Sequence, residues 1–396
     1  MRILGIETSC DETAVAVIEA SGGLTAPAFS VRGTGLFSQV ALHAEYGGVY
    51  PNLAKREHIK NLPPLLHKAL SDAGMLAHTP TSISEDRLAK AQDILSKERG
   101  LFELFKETLQ YVTPPPIDMI SVTTGPGLEP ALWVGISFAR ALSVLWDIPV
   151  QPTNHMEGHI SSVLLRTDEI KNQNEKIKHE VQFPALALLI SGGHTELVYI
   201  EHWGSYKKIG QTRDDAVGEA FDKVARMLKL PYPGGPEVSK KAQSAREKNI
   251  PSTFSLPRPM IHSQDFDFSF SGLKTSVLYT LKDHGELTPE ECEDMCREFE
   301  HAVTDVLISK TKRAFIETGA QSLVIAGGVI ANTHIRHAFT ELMAKDFPGQ
   351  ALHIPEKNMA TDNAVMIAAA GYIEHLLHPD DAETNRIIRA QGNMEL

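Results

Sequence analysis

The hydrophobic pattern of this chain opens in short apolar runs broken by small polar turns. Residues 2–7 (RILGIE) and 13–19 (TAVAVIE) lie on either side of the turn TSCD, which predicts a β-hairpin. The arrangement returns about 180 residues later, where PALALLI (184–190) and TELVYIE (195–201) flank Ser191-Gly192-Gly193-His194. A third small-residue turn, Ala326-Gly327-Gly328, follows the apolar run SLVI (322–325) and enters the helix-like stretch ANTHIRHAFTELMAKDF. Either hairpin alone could be incidental. Three such turns after apolar strands predict duplicated α/β domains facing each other across a cleft.

Helical periodicity fills the spaces between. Residues 130–145 form an apolar helix opened by Gly125-Pro126-Gly127, and 295–318 carry apolar positions at spacings of three and four. A closing apolar helix is predicted over 362–377, with Asp362 near its N-cap. Residues 76–116 are charged and helical, with stripes at Leu88, Ala91 and Leu95 and at Phe102, Phe105 and Leu109. Gly100 divides them into two helices and Pro114-Pro115-Pro116 closes them, so this is predicted as a peripheral helical hairpin inserted in the first domain. The polar stretch 166–180 reads as a solvated loop. The domains are therefore placed at 1–152 and 153–361, with 362–396 packing back on the first.

Composition narrows the class. The chain has 396 residues, 42% hydrophobic and 22% charged, which is ordinary for a globular protein of two domains. Lys and Arg number 38 against 50 Asp and Glu, a formal net charge of −12, so any nucleic-acid contact needs a local face or a partner's help. Three cysteines, Cys10, Cys292 and Cys296, make no disulfide framework and suit a reducing compartment. No targeting segment is recognisable and no apolar run approaches the roughly 20 residues of a membrane span, which predicts a cytoplasmic chain with no membrane partner.

Chemistry concentrates in a few places. The turns at Ser9–Glu12, Ser191–His194 and Ala326–Gly328, the last two rich in glycine, can present backbone N–H groups to phosphate, though no Walker or GxGxxG pattern is present. Together they suggest a nucleotide or adenylate ligand. In Asn154-His155-Met156-Glu157-Gly158-His159 the two histidines are four apart, so on a helix both rings leave one face as metal ligands do. The HExxH order of zinc proteases is absent, and with 17 histidines in the chain a surface pair is the plainer alternative. Asp362 is the best acidic third ligand. Asp214 and Asp215, with Asp222 before the Tyr232–Pro236 turn, suit hydroxyl recognition or a capped surface helix. Residues 265–274 alternate polar and aromatic, which predicts a strand. A basic excess from Lys223 to Lys248 reads as a solvated face.

The motifs GIETSCDET, HAEYGGVYPNLAKREH (43–58), TGPGL, NHMEGH, LLISGGHTELV, DDAVGEAFDK, YPGGP, FSFSGLKT, AGGVIAN and ATDNAVMIA occur in that order. In them the chain resembles the TsaD family of tRNA N6-adenosine threonylcarbamoyltransferases, over all but 76–116. The resemblance implies an actin/Hsp70/sugar-kinase-like duplicated two-domain α/β fold with a central cleft. It implies transfer of threonylcarbamoyl from threonylcarbamoyl-adenylate to N6 of the adenosine 3′ to the anticodon in tRNAs reading ANN codons. By the same resemblance His155, His159 and Asp362 hold one divalent metal, iron or zinc. Leu189, Ile190, Ser191, Gly192, Gly193, Asp222, Gly235 and Asn332 contact substrate, and Asp11 and Glu12 are the acids of the first loop. TsaB-like and TsaE-like partner subunits are implied if the chain is bacterial. The 76–116 insertion and the tail after 380 depart from the family pattern. A kinase-like ATP enzyme of the same fold and a non-catalytic scaffold remain as alternatives, neither of which needs the His-His-Asp set.

Overall fold

The computed structural model describes residues 1–76, 84–109, 114–165, 180–379 and 387–396. Of the expected loop at 166–180, residues 166–179 lie outside the described residues, as do part of the tail after 380 and residues 77–83 and 110–113 within the expected insertion.

One compact unit comprises Met1–Glu180 and Asp362–Leu396. Strands β1 (Arg2–Glu7), β2 (Glu12–Ser21) and β3 (Ala28–Ser38) form an antiparallel meander. Helices α1 (Val40–Ala44), α2 (Pro51–Asp72), α3 (Glu85–Leu95) and α4 (Leu101–Leu109) follow. Then come β4 (Met119–Gly125), α5 (Glu129–Trp146), β5 (Val150–Asn154) and α6 (His155–Ser161). β4 joins β1 in parallel and β5 joins β4, giving the order β3-β2-β1-β4-β5.

The second unit is Val181–Thr361. It opens with β6 (Ala185–Ile190), β7 (Thr195–His202) and β8 (Ser205–Gln211). Helices α7 (Val217–Met227), α8 (Gly234–Glu247), α9 (Ser271–His284) and α10 (Pro289–Thr318) come next, followed by β9 (Ser322–Ala326), α11 (Thr333–Asp346) and β10 (Ala351–His353). β6 pairs antiparallel with β7 and parallel with β9, so its sheet reads β8-β7-β6-β9-β10. This repeats the connectivity of the first sheet strand for strand. Helix α12 (Ala364–Leu377) returns to the first unit and packs on β1, β2, β4 and β5.

Each unit has its own core. Leu4, Ile6, Val15, Ile120, Phe138 and Leu142 anchor the first, and Leu186, Leu188, Phe221, Phe299, Val303 and Ile325 the second. Runs such as ALALLI are buried on both faces, which is why they lack alternation.

Three expectations are revised. The first unit extends past 152, because α6 packs on α12 and Ser161 Oγ donates to the Met366 carbonyl at 3.2 Å. Helices α3 and α4, expected as a peripheral hairpin, join the unit's core: Gly100 (φ 89°) separates them as expected, but Ala91, Leu95, Leu101, Phe105 and Leu109 are buried in that core, with Phe105 edge-on to Phe138 at 5.4 Å. Residues 265–270 form no strand and 271 begins α9; the one ladder contact there is an isolated bridge from Phe268 to Thr212. The Asp214 carboxylate accepts from Ser269 Oγ (2.6 Å), Phe270 N (2.8 Å) and Ser271 N and Oγ (3.1 and 2.7 Å), so these donors need no neighbouring strand.

Candidate functional site

The polar groups of the first unit gather at the carboxyl ends of β1, β4 and β5. β5 ends in Asn154, whose side chain caps α6 by accepting from Met156 N at 2.8 Å. One helical turn then sets His155 and His159 on the same face, their ring centroids 4.7 Å apart. Asp362 stands just before α12, with Oδ1 3.5 Å from His155 Nε2 and 3.2 Å from His159 Nε2. One ligand atom from each of the three residues lies within 4.8 Å of the others.

His159 has no solvent exposure; its Nε2 faces the Asp362 carboxylate, and its Nδ1 has no hydrogen-bond partner among the described residues. Two buried imidazoles converging on one carboxylate are a donor set that suits a zinc or iron ion. The residues fit a metal.

Behind His155 stands Glu7, which sequence reading passed over as the end of a strand. It is fully buried, accepting from Ser9 N and Thr123 Oγ1, each at 2.5 Å, and lying 3.2 Å from His155 Nδ1. Burial would raise its carboxyl, but the facing His155 holds it below the usual range. Burial would likewise depress His155, and Asp362 and Glu7 instead hold that ring well above the ordinary histidine value. The carboxyl of Asp362 is desolvated too, and His155 and His159 keep it far down. An isolated acid in the TSCDET context of the first turn was the only available signal for Glu7.

Asp11, in the turn between β1 and β2, and Glu12, the first residue of β2, share this neighbourhood. Burial, then Asp362 and Asp11, push Glu12 up to about 9, so it carries a proton at neutral pH. Burial and the same acids raise the Cys10 thiol, which disfavours its thiolate form. Massed acids of this kind favour a cation among them.

The end of the chain braces the cluster. Gln391 N donates to the Thr124 carbonyl (2.8 Å), Gly127 N to that of Gly392 (3.1 Å), and Asn154 Nδ2 to that of Glu395 (3.0 Å). The residue that caps α6 is thereby held from both sides.

The second unit contributes a pocket of about 500 Å³. Gly192, Asp222, Gly235 and Asn332 line it, as do Phe221, Ser239, Lys240, Gln243 and Thr333, which sequence reading missed. Asp222 accepts from Gly234 N at 2.7 Å, fixing the turn into α8. Asn332 caps α11 through Oδ1 and donates to Glu300 at 2.6 Å. Leu189 and Ile190 are strand residues with fully buried side chains, so they can offer a ligand only backbone. Ser191 and Gly193 shape the turn without lining the pocket: Ser191 Oγ accepts from Gly193 N (3.3 Å) and His194 N (3.1 Å). The basic excess near α7 and α8 is largely spent on ion pairs, including Lys223 with Asp215 (2.7 Å) and Lys248 with Glu293 (2.8 Å). The sequence-predicted residues thus form two groups, one in each unit.

Two sheets of identical connectivity with helices between the strands define a duplicated α/β protein of the actin/Hsp70/sugar-kinase type. A model of one family, TsaD (tRNA N6-adenosine threonylcarbamoyltransferase), matches residues 30–84 and 98–369. The chain belongs to the TsaD family and is a transferase of tRNA modification. The break in the match, 85–97, falls within the expected insertion and spans helix α3.

Among solved structures the chain is similar to the Acidaminococcus fermentans (R)-2-hydroxyglutaryl-CoA dehydratase component A, at 12% identity and a TM-score of 0.46, covering 95% of this chain and 99% of that one. It is similar to the activator of 2-hydroxyisocaproyl-CoA dehydratase from Clostridium difficile, at 11% identity and a TM-score of 0.45, covering 97% and 98%. Full-length HypF is 12% identical with a TM-score of 0.48, over 72% of this chain and 43% of that one. Among the described residues no helix is long and apolar enough to cross a membrane.

Proposed function

We propose that the chain transfers threonylcarbamoyl from threonylcarbamoyl-adenylate to N6 of the adenosine 3′ to the anticodon in tRNAs reading ANN codons, releasing AMP. The observation that carries this beyond family membership is the pair of buried rings, His155 and His159, converging on the Asp362 carboxylate. These three residues would hold one divalent ion, iron or zinc, which supplies Lewis-acid stabilisation of developing anionic charge.

The remaining work falls to the protein. Backbone at Gly192 and Gly235 admits the adenylate closely, and Asp222 and Asn332 are pre-fixed at the pocket wall. N6 attacks the carbamoyl carbon, the new C–N bond forms, and the C–O bond to the phosphate breaks with its electron pair leaving on AMP. Asp11 is the proposed acceptor of the N6 proton. Glu12, whose carboxyl burial and the neighbouring acids push up, faces it as a hydrogen-bonding neighbour. The reaction is placed in the cytoplasm, with tRNA as substrate and TsaB-like and TsaE-like subunits as proposed partners.

The test is mass spectrometry of tRNA nucleosides after incubation with purified threonylcarbamoyl-adenylate, with and without partners, alongside elemental analysis. Modified adenosine from wild type, and loss of both metal and product in His155→Ala, are expected. No product under any condition, or full metal occupancy in His155→Ala, would sink the reading.

A further inference from the structure

The segment between β3 and α2 carries a feature that neither group of site residues uses. Tyr46 and Tyr50 are 65% and 52% exposed, although tyrosine rings normally bury most of their face. Their centroids are 6.1 Å apart and their planes differ by 23°, so the rings lie almost parallel. Leu42, four residues before Tyr46, is exposed as well. A surface of flat, uncharged, parallel rings matches flat apolar ligands better than it matches a charged partner.

The turn that presents them is held from within by side chains with no solvent exposure: Gln39, His43 and His58. Tyr50 N donates to His43 Nδ1 at 3.3 Å, which puts the ring proton of His43 on Nε2, 3.1 Å from Gln39 Oε1. Gln39 N donates to the Asp11 carbonyl at 3.0 Å. His58 Nε2 donates to the Cys10 carbonyl at 3.0 Å, while its Nδ1 accepts from Thr13 Oγ1 at 2.8 Å. Each imidazole is left with one self-consistent tautomer. Burial depresses both rings, His58 to about 4, so the frame stays neutral at working pH. A continuous polar frame therefore fixes the tyrosine turn to the backbone of Cys10 and Asp11, the loop that carries the proposed proton acceptor.

We propose that Tyr46 and Tyr50 form a stacking platform for unpaired bases of the tRNA substrate, held in register with the Asp11 loop by Gln39, His43 and His58. This rests on the proposed reaction. A chain with a net charge of −12 gains little from bulk attraction to RNA. Base stacking on neutral rings supplies affinity without that charge and tolerates different loop sequences.

The experiment measures binding of a fluorescently labelled anticodon stem-loop with an ANN-reading anticodon to the full chain, with KM values for tRNA and for threonylcarbamoyl-adenylate measured in parallel. Tyr46→Ala/Tyr50→Ala should weaken RNA binding by about 5- to 150-fold for each ring that stacks. It should raise KM for tRNA and leave KM for the adenylate and the metal content at wild-type values. Tyr46→Phe/Tyr50→Phe, which keeps the rings, should bind as wild type does. The single alanine variants give the same test if the double variant fails to fold. Wild-type affinity in the folded alanine variants would overturn the platform, as would loss of partner-subunit binding with RNA affinity unchanged. If wild type itself neither binds nor modifies tRNA, the proposed reaction fails and the platform with it. That failure is distinguishable because it is seen without any substitution.

Discussion

Replacing Glu7 by glutamine tests the proposed metal site through a residue that never touches the ion. The substitution keeps the shape of a fully buried side chain and changes only what its two terminal atoms can do. In wild type one carboxylate oxygen accepts from Ser9 N, and the other accepts from Thr123 Oγ1 and faces His155 Nδ1. The acceptor at Nδ1 keeps the imidazole proton there and leaves Nε2, on the Asp362 side, able to bind metal. If the new NH2 group takes the place of the second oxygen, it donates to Nδ1 and drives the ring proton to Nε2. A protonated Nε2 cannot coordinate.

The opposite amide orientation sets NH2 against the Ser9 N–H, a buried donor facing a donor, at a penalty of about 1–3 kcal/mol. Both orientations weaken the site. Loss of an outer-shell partner of this kind lowers metal affinity by about 10- to 100-fold, or roughly 1.4–2.8 kcal/mol. Chelator competition on wild type and Glu7→Gln measures it directly, with circular dichroism to verify the fold. If Glu7→Gln binds zinc or iron as tightly as wild type, Glu7 does not set the tautomer and the argument fails.

Removing Ile387–Leu396 frees Asn154 and Gly127 from the chain end, so α6 amides such as Met156 N–H should exchange faster with deuterium and metal affinity should fall; unchanged exchange would exclude a bracing role. At Gly327 (φ 97°) a Cβ would stand 2.4 Å from the Ile190 carbonyl, whereas at Gly193 it would meet no atom within 4 Å. Gly327→Ala should therefore lose about 1–3 kcal/mol in thermal or urea denaturation and weaken AMP binding, with Gly193→Ala close to wild type in stability. Asp214 is partly desolvated, but its bonds from Ser269 and Ser271 hold its carboxyl below the usual value. Its contribution is thus complete above the unfolded carboxylate pKa of about 4 and lost as pH falls through the lower folded value. The stability gap between wild type and Asp214→Ala should narrow with acidification, and a gap that widens would refute the assignment.

What the sequence disclosed follows from which interactions are local. Both hairpins and the helix after Gly327 were legible because ALALLI and SLVIA are strands buried along their whole length, and RILGIE from Ile3 on, where composition alone signals the state. His155 and His159 were legible as a pair because four residues is one helical turn. Glu7 was not, since its partners Thr123 and His155 are 116 and 148 residues away. Strand β3 was hidden by Gly33 and Gly35, which ordinarily weaken a strand. Here a Cβ on Gly33 would lie 2.1 Å from the Ala69 carbonyl, so glycine is what lets α2 pack on the sheet. The 265–270 stretch misled for the converse reason: its alternation is genuine, with Phe268 and Phe270 both buried, but Asp214 satisfies donors that a strand would have paired.

The repeated topology explains why two such different sites occur in one chain. In the first unit, Leu128 N donates to the Ser9 carbonyl at 2.7 Å, and a Cβ on Gly127 would come within 2.6 Å of the same oxygen. In the second unit, Gly327 makes the corresponding approach to Ile190. Each time, the turn leaving β4 or β9 packs against the end of the hairpin strand beside it, at the carboxyl edge where open α/β sheets place their ligands. The scaffold fixes that edge and the flanking residues decide its chemistry. Around the first edge stand Glu7, Asp11, Glu12, His155, His159 and Asp362, a set of titratable groups suited to a cation and to proton transfer. Around the second, among the described residues, Asp222 and Lys240 are the only charged side chains on a wall otherwise made of glycine, proline and neutral residues, suited to a nucleotide held by shape and backbone. Duplication thus allows binding and activation to be tuned on separate cores, so that Gly327→Ala should spare the metal and Glu7→Gln should spare the pocket.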